Sequence, residues 1–146
     1  VRHQPAVAML MITAQHKMIV EQQWRAATGG LTVEIPAGKV ESGETMDQAA
    51  VRELNEETRL TAQHLEAVAQ FYTSPGFKDE LMKLYVATSL SAVATAFPQD
   101  PDEQIRLIKL DLATAVSQVQ TGQIQDAKTV MAIWYWQSHP ELGVEA

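Results

Sequence analysis

Residues 45–60 constrain this chain more than any other stretch. Counted at about 100° per residue from Glu53, the residues Met46, Ala49, Ala50, Leu54 and Leu60 gather in one sector roughly 140° wide, the apolar stripe of a core-packed helix. Thr45 and Gln48 stand three apart at its start, the spacing of a capping box. Gln48, Arg52, Asn55 and Arg59 fall on the opposite side, and Glu56 sits at the edge, about 60° from Glu53. Glu53 and Glu57, however, lie inside the apolar stripe. A buried carboxylate without a partner is costly, and two placed one turn apart also repel, so this pattern works against stability. A wholly solvated helix is the plain alternative, and the apolar residues on both sides of the glutamates argue against it. Oxygen ligands at a half-buried edge suit a hard divalent cation such as Mg²⁺, which keeps several waters. The pair therefore reads as a metal site.

Around this helix the pattern alternates between strand and turn signals. Residues 6–13 form an apolar run of strand length, 14–16 a turn, and 18–24 a second strand pairing back on the first. Residues 28–30 read as a loop, 31–35 as a short strand ended by Pro36, and 37–44 as a glycine-bearing loop. Two more strands, 68–73 and 82–90, are separated by the turn residues Ser74, Pro75 and Gly76. A polar loop with Pro98 and Pro101 precedes a strand at 105–110. Asp111 caps a helix that stops at Gly122, and Asp126 caps another that ends before Pro140. The expectation is one α+β domain over 1–146, a mixed sheet flanked by helices.

Charge narrows the function. Lys and Arg number 11 against 18 Asp and Glu, a net charge of −7. No basic run exists, which disfavours nucleic acid and anionic membrane as partners. If the substrate carries phosphates, a divalent metal must supply the missing positive charge. The longest apolar run, residues 6–12, is far below the roughly 20 residues of a membrane span. The chain has no cysteine and hence no disulfide or thiolate chemistry. No secretory signal is visible, so the cytoplasm is the expected compartment.

Gly38, then Glu44, then Arg52-Glu53-Leu54-Asn55-Glu56-Glu57 and Leu60, resembles the signature of the Nudix hydrolases, with Arg59 where that family usually has glycine. A glycine there would permit a left-handed helix cap. The resemblance implies an α/β/α sandwich and metal-dependent hydrolysis of nucleoside diphosphates linked to another moiety. It makes Glu53 and Glu57 ligands of Mg²⁺ or Mn²⁺, and Glu56 a further ligand or a water-positioning group. The Ala37 carbonyl would face the metal, Arg52 would brace the glutamates, and Glu44 would orient the loop–helix junction.

Outside the signature, four stretches resemble the ADP-ribose pyrophosphatase group. They are Glu21-Gln22-Gln23-Trp24-Arg25, Glu34-Ile35-Pro36-Ala37-Gly38, Ser74-Pro75-Gly76-Phe77 with Glu80 behind it, and Asp126-Ala127-Lys128-Thr129. The resemblance implies that Arg25, Glu34, Pro75, Gly76, Phe77 and Glu80 contact substrate. The catalytic base would fall in residues 99–104, as Glu103 with Asp102 its rival. Few residues precede the first strand, so the N-terminal arm such enzymes carry is expected to be short or missing. The expected activity is hydrolysis of ADP-ribose or a related nucleoside diphosphate sugar by a homodimer. A hydrolase of nucleoside triphosphates or dinucleoside polyphosphates is one competing expectation, and a non-catalytic nucleotide-sugar sensor is another. His3, His16, His64 and His139 lack ligand spacing. Trp134, Tyr135 and Trp136 read as core or subunit contacts.

Overall fold

The computed structural model describes residues 4–99 and 105–144. Strand β1 (Ala6–Met11) is buried along its whole length, as its unbroken apolar sequence requires. It lies inside a four-stranded mixed sheet of order β4-β1-β6-β5. Within it, β1 runs antiparallel to β4 (Ala37–Lys39) and parallel to β6 (Leu81–Ala92), which pairs antiparallel with β5 (Leu60–Tyr72). A second, antiparallel sheet has the order β3-β2-β7, with β2 (Lys17–Arg25) between β3 (Gly30–Glu34) and β7 (Arg106–Asp111). The expected mixed α+β architecture is present, divided between two sheets.

The hairpin expected between the first two strands reduces to one bridge, Ile12 to Met18. Six consecutive buried residues leave β1 no solvated edge, and partners on both sides take its ladder. The glycine-bearing loop contains strand β4, which Val7 draws in by pairing with Gly38. β5 begins directly after the first helix, well ahead of residue 68, and a register shift between Ala67 and Ala69 interrupts it.

Helix α1 (Met46–Thr58) starts at the expected capping box. Gln48 N–H donates to Thr45 Oγ1 at 3.1 Å, and Thr45 N–H donates to Gln48 Oε1 at 2.9 Å. Ala49, Ala50 and Leu54 pack on Val7, Met9, Met11, Ile19 and Tyr85. The helix ends at Arg59, which adopts the left-handed conformation at φ 60° without a glycine's freedom. One residue departs from the expected faces. Asn55, counted to the solvent side, is 6% exposed, because the chain at Thr95 and Phe97 covers it.

Helices α2 (Leu112–Gln120) and α3 (Ala127–Ser138) begin at the expected caps Asp111 and Asp126. They enclose a second core with Leu10, Ile12, Val20, Leu84, Ile133 and Trp136. Trp136 is core, whereas Trp134 is 59% exposed and Tyr135 stacks on His139. No helix among the described residues is long and apolar enough to cross a membrane.

Candidate active site

One face of α1 and the turn before it build an acidic cleft of about 270 Å³, lined by Glu41, Arg52, Glu53, Glu56, Glu57, Gln99 and Ile105. The signature residues thus converge. Arg52 organises them. Its Nε and Nη2 donate to both oxygens of Glu44 at 2.8 and 3.0 Å, and its Nη1 reaches Glu53 Oε1 at 2.8 Å and Glu56 Oε2 at 3.0 Å. A further bond from Nη2 to the Lys39 carbonyl, 2.8 Å, fastens it to the loop. Hydrogen bonding from Arg52 lowers the Glu44 pKa below the ordinary carboxylate value, and the Glu44 bond in turn raises the Arg52 pKa. Arg52 is therefore a permanent cation, and its bidentate pairing goes to Glu44.

Glycine explains how the strand reaches the helix. A Cβ on Gly38 would fall 2.0 Å from Glu53 Oε1 and 2.1 Å from its Cδ. With the Glu53 side chain where it stands, only a residue without a side chain lets β4 pass beside that carboxylate. Ala37 touches the site through its N–H, which donates to Glu57 Oε2 at 3.2 Å. The Glu53 carboxylate is thus set by Arg52 and the Gly38 gap, and that of Glu57 by the Ala37 amide. Four carboxylates line the cleft with one guanidinium, already shared with Glu44. This hard-oxygen, negatively charged donor set fits a divalent cation. In the arrangement present, no three acidic or histidine side chains among the described residues converge as a finished ligand shell. Glu53 and Glu56 instead turn oxygens onto Arg52.

The other expected contact residues gather elsewhere. Arg25 grips Glu34 with two bonds, Nε to Oε2 at 2.8 Å and Nη2 to Oε1 at 3.1 Å. Thr32 Oγ1 and Lys128 Nζ add bonds of 2.6 and 2.8 Å to the same carboxylate. Burial alone would raise the Glu34 pKa, but the bonds from Arg25, Lys128 and Thr32 outweigh it and lower the value to about 2. Arg25 and Glu34 line a cavity of about 560 Å³ together with Asp126. Asp126 also lines a neighbouring cavity of about 330 Å³ with Glu80, Lys128 and Phe71. Glu80 is buried and accepts from Thr73 Oγ1 at 2.9 Å. The turn at Pro75 and Gly76 is closed by Phe77 and Lys78 N–H donating to the Ser74 carbonyl, and the Phe77 ring is 90% exposed. Neither acidic cleft nor turn shares a lining residue with these two cavities.

Glu103 and Asp102 lie outside the described residues, while Gln99 and Ile105 on either side of them line the acidic cleft. Sequence reasoning passed over three site residues: Glu41 and Gln99 in the cleft wall, and Lys128, which joins Glu34 to Asp126. Lys128 was within reach, because the stretch that contains it carries a resemblance.

Comparison with known proteins points to a family. A model of the NUDIX domain matches residues 2–132. An ADP-ribose pyrophosphatase of Bacillus subtilis is 42% identical over 94% of this chain and 74% of its own length. A protein of Bacillus methanolicus named methanol dehydrogenase activator is 44% identical over the same shares. A crystal structure described as an ADP compounds hydrolase superposes with a TM-score of 0.80 over 97% of this chain and 79% of that one, at 20% identity, which speaks to the fold alone.

Proposed function

The chain belongs to the Nudix family, and from that premise we propose that it hydrolyses the diphosphate linkage of ADP-ribose or a related nucleoside diphosphate sugar. With ADP-ribose the products are AMP and ribose 5-phosphate. The oxygen of water bonds to one phosphorus, the bridging P–O bond breaks, and one proton is released. The observation that carries the reading is the composition of the cleft: Glu41, Glu53, Glu56 and Glu57 line it together with one guanidinium, that of Arg52, whose bidentate grip goes to Glu44. Relatives named ADP-ribose pyrophosphatase supply the substrate class.

Glu53 and Glu57 would hold Mg²⁺, with Mn²⁺ an alternative, and Glu56 would hold it or position water; the Ala37 carbonyl is a further candidate ligand. When bound, the cation screens diphosphate charge and lowers the pKa of water. The chain's own residues do the rest. Arg52 fixes the carboxylates before substrate arrives. Arg25 and Glu80, with the turn at Pro75, Gly76 and Phe77, are the proposed contacts for the nucleoside and sugar. Glu34 orients Arg25. Glu103 is the proposed base that takes the proton of the attacking water, with Asp102 its rival; a base must come within about 2.6–3.2 Å of that water.

Incubation with ADP-ribose, other nucleoside diphosphate sugars, nucleoside triphosphates and dinucleoside polyphosphates, with and without Mg²⁺, tests this by chromatography of the products. AMP from ADP-ribose in the presence of Mg²⁺ is expected. Turnover confined to triphosphates would move the substrate class, and binding across the panel without turnover would favour a sensor. A second reading, modulation of another enzyme, rests on the relative named an activator. A dehydrogenase whose rate rises on adding this chain, with no product formed from any nucleotide, would favour it.

A further inference from the structure

Beyond the carboxylates, α1 presents a different side to the chain that follows β6. Residues 93–99 form neither helix nor strand, and from residue 94 onward they are exposed. Such a segment has little packing of its own to hold it. Asn55 holds it from beneath. Its Nδ2 donates to the Thr95 carbonyl at 2.9 Å, and its Oδ1 accepts from the Phe97 N–H, also at 2.9 Å. One amide thereby serves a carbonyl and an N–H two residues apart, as a neighbouring strand would. Arg59 adds a bond from Nη1 to the Phe97 carbonyl. Farther along, Gln99 Nε2 donates to the Glu56 carbonyl at 2.9 Å, where the segment becomes a wall of the acidic cleft.

We propose that Asn55 and Arg59 are positioning residues for hydrolysis, fixing residues 95–99 on the back of α1 so that Gln99 stands as a set wall of the cleft whose carboxylates project from the same helix. This rests on the hydrolytic reading above. A buried asparagine with both amide atoms spent on one loop has no need of a ligand, and its effect on chemistry passes through the placement of that loop. Arg59 has an added significance. It occupies a left-handed position that a glycine would fill without strain, and its side chain gives in return a bond that glycine lacks.

The test compares wild type with Asn55→Ala, Arg59→Gly and Thr58→Val. Thr58 is a buried neighbour whose hydroxyl donates to the Leu54 carbonyl, so the hydrogen bond its valine variant removes lies within the helix. Asn55→Ala is expected to lower kcat about tenfold with KM within about twofold. It should also abolish hydrogen-exchange protection of the Phe97 amide. Arg59→Gly should lower kcat about threefold while Tm stays level or rises, since relief of the left-handed backbone offsets the lost bond. Thr58→Val should lower Tm and leave kcat within about twofold. A kcat unchanged in Asn55→Ala despite an unprotected Phe97 amide overturns the inference alone. So does a Thr58→Val loss of kcat equal to that of Asn55→Ala. Absence of wild-type turnover overturns the hydrolytic reading instead.

Discussion

Two arginines organise this molecule, and their surroundings differ in one respect. Arg25 and Lys128 face Glu34 and Asp126, two cations to two anions, linked in a chain from Arg25 through Glu34 and Lys128 to Asp126. Arg52 faces Glu44, Glu53 and Glu56, with Glu41 at 3.6 Å and Glu57 in the same cleft. The first cluster pairs cations and anions in equal number and ties the end of β2 and β3 to the start of α3. The second gathers five carboxylates, Glu41, Glu44, Glu53, Glu56 and Glu57, about one arginine. Balanced networks hold a fold together; an unbalanced one beside a cleft is where a cation belongs.

The contrast has measurable edges. Neutralising the unbalanced cluster should cost most: Glu53→Gln is expected to reduce kcat/KM by about 10²–10³-fold, while chemical denaturation shows the fold retained. A rate within a few fold of wild type would dissociate the cleft from catalysis. The balanced cluster should appear in acid instead. Glu34 ionises at about 2 in the folded state against 4.5 ordinarily, so the folded form binds fewer protons. Its contribution is complete above pH 4.5 and is lost as pH falls from there toward 2, with a ceiling of about 3 kcal/mol. Urea midpoints measured across that range should decline less steeply in Glu34→Gln, and an identical slope would remove Glu34 from the account.

Mg²⁺ at a hundredfold excess over its dissociation constant should add about 2.7 kcal/mol to wild-type stability. Glu34→Gln should respond as wild type does, and Glu53→Gln should respond much less; thermal shift against Mg²⁺ concentration reads this directly. Smallest is Gly38→Ala. The new methyl meets the flexible end of Glu53, so the side chain swings aside, and Tm should hold while kcat/KM falls about tenfold. A collapse of Tm would mean that the close approach serves packing instead.

Sequence reached the helix bearing the glutamates because each of its signals is local: a capping box, a periodic stripe and two misplaced charges. The caps at Asp111 and Asp126 were equally legible, since a cap is made within four residues. Contacts set by distant chain were hidden. Asn55 counts to the solvent side by angle, and only the arrival of residues 95–97 buries it. The early half of β5 escaped because its exposure does not alternate cleanly, and a bulge breaks its period. Arg59 met the geometric demand that glycine usually meets, adopting the same backbone turn at a local cost. The pairing of Glu34 with Lys128 spans 94 residues and leaves no periodic trace.

β1 occupies the interior of its sheet, yet its parallel neighbour β6 aligns Ala6 with Met82. A ribosome must therefore release Met82 before β1 can meet that neighbour. Closing so large a loop delays the reward for doing so, which slows folding relative to a chain of local contacts. The strand that carries Gly38 hangs on β1, so hydrolytic competence should emerge late, with completion of the sheet.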